Sequence, residues 1–178
     1  LGIAPEIKYE REGGPNIAKC LEVIALSGAR PAADQIKLLN MVLFNYLIGN
    51  ADAHGKNFSL LYRGSKPELA PAYDILSTAI YPNLAGKMAM KIGGQYKPED
   101  VYLRHFHKLV ADTKAAQSAM KRQIKTMTKK MLEAAPRLKA SLIQDRLAED
   151  RLAEDRLASD VFDDIIAVIK DRAQRLSE

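Results

Sequence analysis

The sequence predicts a mainly α-helical fold carrying one small β-hairpin, and three observations lead there. The run from Leu38 to Ile48 is apolar on nearly every side and closes on Gly49, the pattern of a helix buried all round. Two short β-type runs, Phe58 to Tyr62 and Glu68 to Ala70, flank the turn-forming stretch Arg63-Gly64-Ser65-Lys66. From Pro98 onward helix signals dominate: proline at a first-turn position, then Glu99 and Asp100 facing the positive end of the helix dipole.

Taken in chain order, residues 1–15 carry Pro5, Gly13, Gly14 and Pro15 and read as a connector with a short strand at Ile7 to Tyr9. A first helix is expected from Asn16 to Leu26. Asn16 can cap its free N–H groups, Ala18, Leu21, Ile24 and Ala25 share a face, and Gly28 stops it. The buried helix, Ala32 to Ile48, is followed by a polar loop from Asn50 to Asn57 and then by the hairpin. Lys87 to Ile92 reads as a further strand before the Gly93-Gly94 turn. The remainder is expected to be helical, with breaks near Pro136 and before Asp160. Arg146-Leu-Ala-Glu-Asp150 recurs as 151–155 and, with Ser159 replacing Glu, as 156–160. A five-residue advance is about 140° net on a helix, so Leu147, Leu152 and Leu157 spiral around the axis and form no coiled-coil seam. The repeat reads as a duplicated, solvated segment with opposite charges four apart.

With 178 residues, 47% hydrophobic and 28% charged, the chain is long enough for one hydrophobic core, and its composition excludes disorder. The longest apolar stretch, interrupted by Asn40 and Asn45, falls short of the roughly 20 residues a membrane span needs. Cys20 alone makes no internal disulfide, and no secretory leader opens the sequence, so a reducing, cytoplasmic location is expected. Cys20, His54, His105 and His107 show no zinc spacing. Cys20 reads as a small buried apolar residue, and the two later histidines as packing or surface groups on different faces of a helix. The net charge of +5 is regional: zero over 1–60, +3 over 61–110, +6 over 111–142 and −4 over 143–178. Lys121, Lys125 and Lys129 form a basic stripe, most simply a solvated face, since no aromatics or DNA-reading motif accompany them.

Chemistry concentrates in one loop. Gly49-Asn-Ala-Asp52-Ala-His54-Gly-Lys56-Asn57 holds an acid, an imidazole, a cation and an amide within six residues, and the hairpin then leads to Tyr73-Asp74. Protein kinases place a catalytic-loop Asp, an Asn five residues later that holds Mg²⁺, and a second metal-binding Asp beyond. Asp52, Asn57 and Asp74 reproduce that order. Asp52 would meet the acceptor hydroxyl, while Asn57 and Asp74 share an oxygen-seeking metal on ATP phosphates. Lys56 is a candidate phosphate contact. His54 is a candidate for the same role or for holding the loop through the backbone or Asp74, and Tyr73 reads as a shelf or core residue.

The run Tyr46-Leu-Ile-Gly-Asn-Ala-Asp52-Ala-His-Gly-Lys-Asn57-Phe-Ser-Leu, with Leu69-Ala-Pro-Ala-Tyr73-Asp74-Ile-Leu-Ser77-Thr, resembles the C-terminal lobe of the HipA family of serine/threonine-protein kinase toxins. Lys8-Tyr-Glu10, Gly13-Gly14-Pro15 and the segment Lys87 to Gly94 are similar too, and the resemblance is strong over residues 1–110. It implies a protein-kinase-like C-terminal lobe comprising a connector (1–15), a catalytic core region (16–110) and a helical remainder (111–178). It further implies Asp52 as catalytic base, Asn57 and Asp74 as ligands of Mg²⁺ with ATP, and a HipB-like antitoxin partner, with DNA reached through the antitoxin complex. Family substrates include aminoacyl-tRNA synthetases, whose phosphorylation arrests translation and promotes dormancy and drug tolerance. The sequence shows no glycine-rich phosphate loop and no lysine-bearing strand of an N-terminal lobe. The expectation is therefore half a kinase, with weak ATP·Mg binding and negligible phosphoryl transfer by the chain alone. The competing reading is a non-catalytic interaction module that binds an antitoxin or a separate N-lobe. A lipid or small-molecule kinase is the third, because Asp-x-His-x-x-Asn also resembles lipid kinases.

Overall fold

The computed structural model describes residues 3–4, 6–84, 86–148 and 152–178, with side chains at 145–148 and 152–158 left aside. The predicted class is observed: helices around one two-stranded hairpin. Helix α1 spans Ile17–Ser27. Asn16 caps it as expected, its side-chain oxygen accepting the Lys19 N–H at 2.8 Å. The buried face differs from the expected one. Ile17, Cys20 and Ile24 point inward, whereas Ala18 and Ala25 are exposed, because the larger side chains gain more from leaving water.

Helix α2, Pro31–Ile48, is the central element. Its second half is buried almost all round, at Met41, Val42, Leu43, Asn45, Tyr46, Leu47 and Ile48. Gly49 ends it with φ of 85°, and a Cβ there would come within 2.8 Å of the Ala79 Cβ and 2.9 Å of Val168. The hairpin pairs β1 (Leu60–Leu61) antiparallel with β2 (Glu68–Leu69), Leu60 opposite Leu69. It is shorter than the sequence suggests, yet firmly held on α2. Buried Asp34 accepts the Leu69 N–H at 3.0 Å, and the Lys37 ammonium donates to the Leu69 carbonyl at 2.6 Å.

Three expectations fail here. Ile7 to Tyr9 forms no strand; it enters a 3₁₀ turn at Glu10–Glu12. Lys87 to Ile92 is likewise no strand. The segment threads singly through the core, with Met88 N–H bonded to Tyr96 O, Ala89 N–H to Ala51 O, and one bridge between Ile92 and Gln95. Met88, Met90 and Ile92 are buried there as an apolar run, which reads the same whether or not a neighbouring strand exists. Third, Pro98–Asp100 makes a 3₁₀ turn, and the short α3, Leu103–His107, intervenes before the long helices.

Helix α4, Lys114–Ala148, runs unbroken through Pro136. Pro136 sits on the exposed face while the opposite side packs on α5, so the one lost backbone bond is tolerated. Helix α5, Leu152–Arg175, is continuous across Asp160, and the break expected near Pro136 is absent. Residues 149–151, between α4 and α5 and before Asp160, lie outside the described residues, and the side chains of most of the pentad repeat are likewise not described, so the break expected before Asp160 falls there. Lys121, Lys125 and Lys129 are exposed, beside an apolar groove between α4 and the end of α5.

The main core gathers Val42, Leu43, Tyr46 and Leu47 with Met88, Met90, Ile92, Val101 and Phe106, closed by Ile124, Ala173 and Leu176. Phe106 meets Tyr46 edge-on, with ring centroids 5.7 Å apart. A second cluster, Cys20, Ile24, Leu38, Met41 and Leu69, seats the hairpin. Burial pushes the Cys20 thiol up to about 11, which fits the inert packing role expected for it. Arg172 of α5 is also buried, donates to the Tyr46 carbonyl and lies 5.1 Å from the Tyr46 ring centroid. It thereby caps the carbonyl end of α2 just before the polar loop. Among the described residues, no helix is long and apolar enough to cross a membrane.

Candidate active site

The loop after α2 is ordered by a relay of side-chain amides. Asn45, in the last turn of α2, donates to the Met41 carbonyl at 2.9 Å and accepts from Asn50 at 2.8 Å. The Asn50 amide also donates to the Asp74 carbonyl at 3.1 Å, and its oxygen accepts the Asp52 N–H at 3.1 Å. Asn45 and Asn50 are both buried, so each unmade bond there would carry the full cost of a desolvated polar group. Sequence reading treats Asn45 as an interruption of an apolar run and Asn50 as the start of a polar loop; in the fold they tie α2, the loop and Asp74 together.

Asp74 stands where the hairpin delivers it. Its carboxylate Oδ2 accepts the Asn57 Nδ2–H at 2.5 Å, across a separation of 17 residues. It has φ of 56°, the one positive φ at a non-glycine position among the described residues. Aspartate tolerates the left-handed region better than most side chains, and such strain concentrates at functional sites. The Asn57 Oδ1 accepts the His54 N–H at 2.9 Å. That leaves one lone pair on Asn57 Oδ1, and Asp74 Oδ1 carries no hydrogen bond among the described residues. Asn57 turns its amide N–H toward Asp74, and a carboxylate with a neighbouring amide carbonyl is a donor set suited to Mg²⁺, which prefers oxygen ligands and completes its shell with waters and phosphates. No group of three or more His, Cys, Asp or Glu among the described residues offers a competing metal site.

Asp52 is half-buried, and its Oδ1 accepts the Tyr9 hydroxyl at 2.8 Å. Tyr9 is a site residue that sequence reading misses, because it lies 43 positions upstream in a stretch that reads as a connector. Lys8, beside Tyr9 and Asp52, has its pKa raised, first by a hydrogen bond with Tyr9 and then by the Asp52 charge. Asp52 lines an open cleft of about 380 Å³ together with Tyr9, Arg11, Leu76, Leu84 and Lys87.

His54 and Lys56 separate. His54 is buried, meets the Tyr9 ring edge-on at 5.9 Å, and its Nδ1 has no hydrogen-bond partner among the described residues. Among the described residues it makes no hydrogen bond to Asp74, whose carboxylate accepts from Asn57 instead. Lys56 is exposed, and its carbonyl accepts the Tyr73 hydroxyl, which also lies 2.5 Å from Ser59 Oγ. Tyr73 is therefore the shelf residue expected, tying loop to hairpin. Gly55 leaves room for Pro15, since a Cβ at 55 would sit 2.2 Å from the Pro15 Cγ. The Gly13-Gly14-Pro15 segment and the loop are thus packed as one unit.

His105, on α3, is buried like His54, and its Nδ1 accepts the Tyr102 N–H at 2.9 Å. Burial lowers the pKa of both imidazoles from the ordinary value of about 6.5, and for His54 the Asp52 charge opposes the shift without reversing it. Below that value the unfolded chain takes up protons that the folded chain refuses, so stability falls as pH drops through it. We expect a lower urea midpoint at about pH 5.5 than at about pH 7.5. Equal midpoints would show that the two imidazoles titrate alike in the folded and unfolded chain.

Comparison with known proteins bears on this geometry. Residues 1–137 match the family model described as the HipA-like C-terminal domain. Y4mE of Sinorhizobium fredii, which carries the name of a candidate kinase, is 56% identical over 93 residues, covering 52% of this chain and 22% of that protein. The serine/threonine-protein kinase toxin HipA of Shewanella oneidensis is 34% identical over 112 residues, covering 57% of this chain and 26% of that toxin. The solved Shewanella oneidensis complex of HipA, HipB and operator DNA matches the fold with a TM-score of 0.77 at 23% identity, over 99% of this chain and 42% of that one. The chain thus spans less than half the length of these relatives. With three-quarters of its sequence inside the family model and its fold in register with a HipA structure, the chain belongs to the HipA-like C-terminal domain family.

Proposed function

We propose that the chain is the catalytic lobe of a serine/threonine-protein kinase of the HipA type, transferring phosphate from ATP·Mg to a protein hydroxyl. The observation that carries this reading is the 2.5 Å contact of Asn57 with Asp74, beside an Asp52 that opens on a cleft. Tyr9 holds Asp52 Oδ1, so Oδ2 is the oxygen free to accept the proton of the acceptor hydroxyl. Asn57 Oδ1 and Asp74 would hold Mg²⁺, which supplies charge neutralisation on the phosphates of ATP. Lys56, exposed at the end of the loop, adds a cation for the phosphates, whereas buried His54 supports Tyr9 from beneath. The solved relative holds HipA with HipB and its operator DNA, and by that likeness the partner proposed for this chain is a HipB-like antitoxin, with DNA reached through it. The proposed target is a protein such as an aminoacyl-tRNA synthetase, the substrate class that the family resemblance implies.

The chain carries the residues proposed to bind the metal and to accept the proton, and its sequence shows no glycine-rich phosphate loop. Alone it should therefore bind ATP·Mg weakly and transfer phosphate negligibly. Adding an N-terminal lobe of the family in trans tests this. Phosphorylation that appears on addition supports the kinase reading. A folded mixture that binds antitoxin and never transfers phosphate favours the interaction module, and full activity of the chain alone overturns the half-enzyme account.

A further inference from the structure

We propose that the cleft beside Asp52 selects an acceptor segment in which the hydroxyl residue is flanked by acidic and apolar side chains. The inference rests on the kinase reading and adds the class of substrate to it. Three features of the cleft carry it. Asp52 is the one acid in its lining, and Tyr9 already engages one of its oxygens, so no second carboxylate is present to attract a basic peptide. Arg11 and Lys87 line the same cleft. Lys87 has no ion pair among the described residues, and Arg11 has an exposed contact with neighbouring Glu12 at 3.6 Å, the kind that water screens and a ligand displaces. Leu76 and Leu84, each 53% exposed, complete the wall with apolar surface that nothing in the described fold covers.

The phosphates of ATP are a rival source of negative charge for these cations, and position argues against them. Neither Asn57 nor Asp74 lines the cleft, whereas Arg11 and Lys87 do, so these cations belong to a surface apart from the proposed metal pair. That separation suits an enzyme in which nucleotide and acceptor occupy distinct surfaces that share one carboxylate. Exposed single charge pairs are weak, so the selectivity expected from two of them is about tenfold.

The test uses fluorescent serine peptides of one length: glutamates and leucines flanking the serine, lysines replacing the glutamates, and serines replacing the leucines. Affinity for the whole chain is read by anisotropy at low salt. The acidic, leucine-containing peptide should bind about tenfold more tightly than either control, and R11Q/K87Q should erase the charge preference while L76S/L84S erases the leucine preference. All four substituted residues are surface groups, so circular dichroism should be unchanged. No binding, equal binding of all three peptides, a preference that survives the substitutions, or displacement of the acidic peptide by ADP·Mg would each overturn the inference. Nucleotide binding measured on the same samples without peptide reports on the kinase reading separately.

Discussion

Asp52→Asn should lower phosphoryl transfer by about 10²- to 10⁴-fold in the enzyme completed with its N-terminal lobe, the range expected when a positioned general base is removed. The substitution is nearly isosteric, and the Asn carbonyl oxygen still accepts the Tyr9 hydroxyl that Asp52 Oδ1 accepts at 2.8 Å. Folding and nucleotide binding should therefore survive while the rate falls, with the loss in kcat and little in KM for ATP. A rate within about threefold of the parent would remove Asp52 from the chemistry and leave it a loop residue, the role its residue type fills elsewhere.

The second large effect lies far from the chemistry. Phe106→Ala should destabilise the fold by about 3–5 kcal/mol, because the ring is fully buried and its loss leaves a cavity against Tyr46. Domains are stable by about 5–15 kcal/mol, so much of the margin would disappear, and the melting temperature should drop by roughly 10 °C. The consequence would reach the loop, since the Tyr46 hydroxyl is held by the Pro98 and Val101 carbonyls at 3.2 and 3.3 Å and its own carbonyl is capped by Arg172. A melting temperature within a degree or two of the parent would mean that the core collapses to fill the space.

The sequence is most legible where one residue type has one physical use. Gly49 ends a helix because only glycine turns left without cost, and Asn16 caps one because its side chain reaches the third N–H of the helix; both stand where the pattern predicts. The pairing of Asn57 with Asp74, expected from the order Asp52, Asn57, Asp74, is present in the fold as a direct hydrogen bond. Tyr9, Asn45, Asn50, Asp34 and Lys37 are not legible. Each matters through a partner distant in sequence or through a backbone atom, and neither leaves a local pattern.

Arg172 is the same case at the greatest separation, joining α5 to the end of α2 across 126 positions. The missed features of secondary structure have a different origin. Met88, Met90 and Ile92 are buried by surrounding helices and the loop, so an apolar segment needs no sheet to be extended. Pro136 stays helical because tertiary packing on α5 outweighs the local cost of one lost bond.

The central claim is that Asn57 and Asp74 together hold a divalent ion on a nucleotide, and diffraction from crystals of this chain soaked with Mn²⁺·ADP tests it most directly. The account predicts an anomalous peak in direct coordination distance of Asn57 Oδ1 and an Asp74 carboxylate oxygen, lost in Asp74→Ala. A saturated nucleotide whose metal lies away from both side chains, or a peak that persists unchanged in Asp74→Ala, would contradict it.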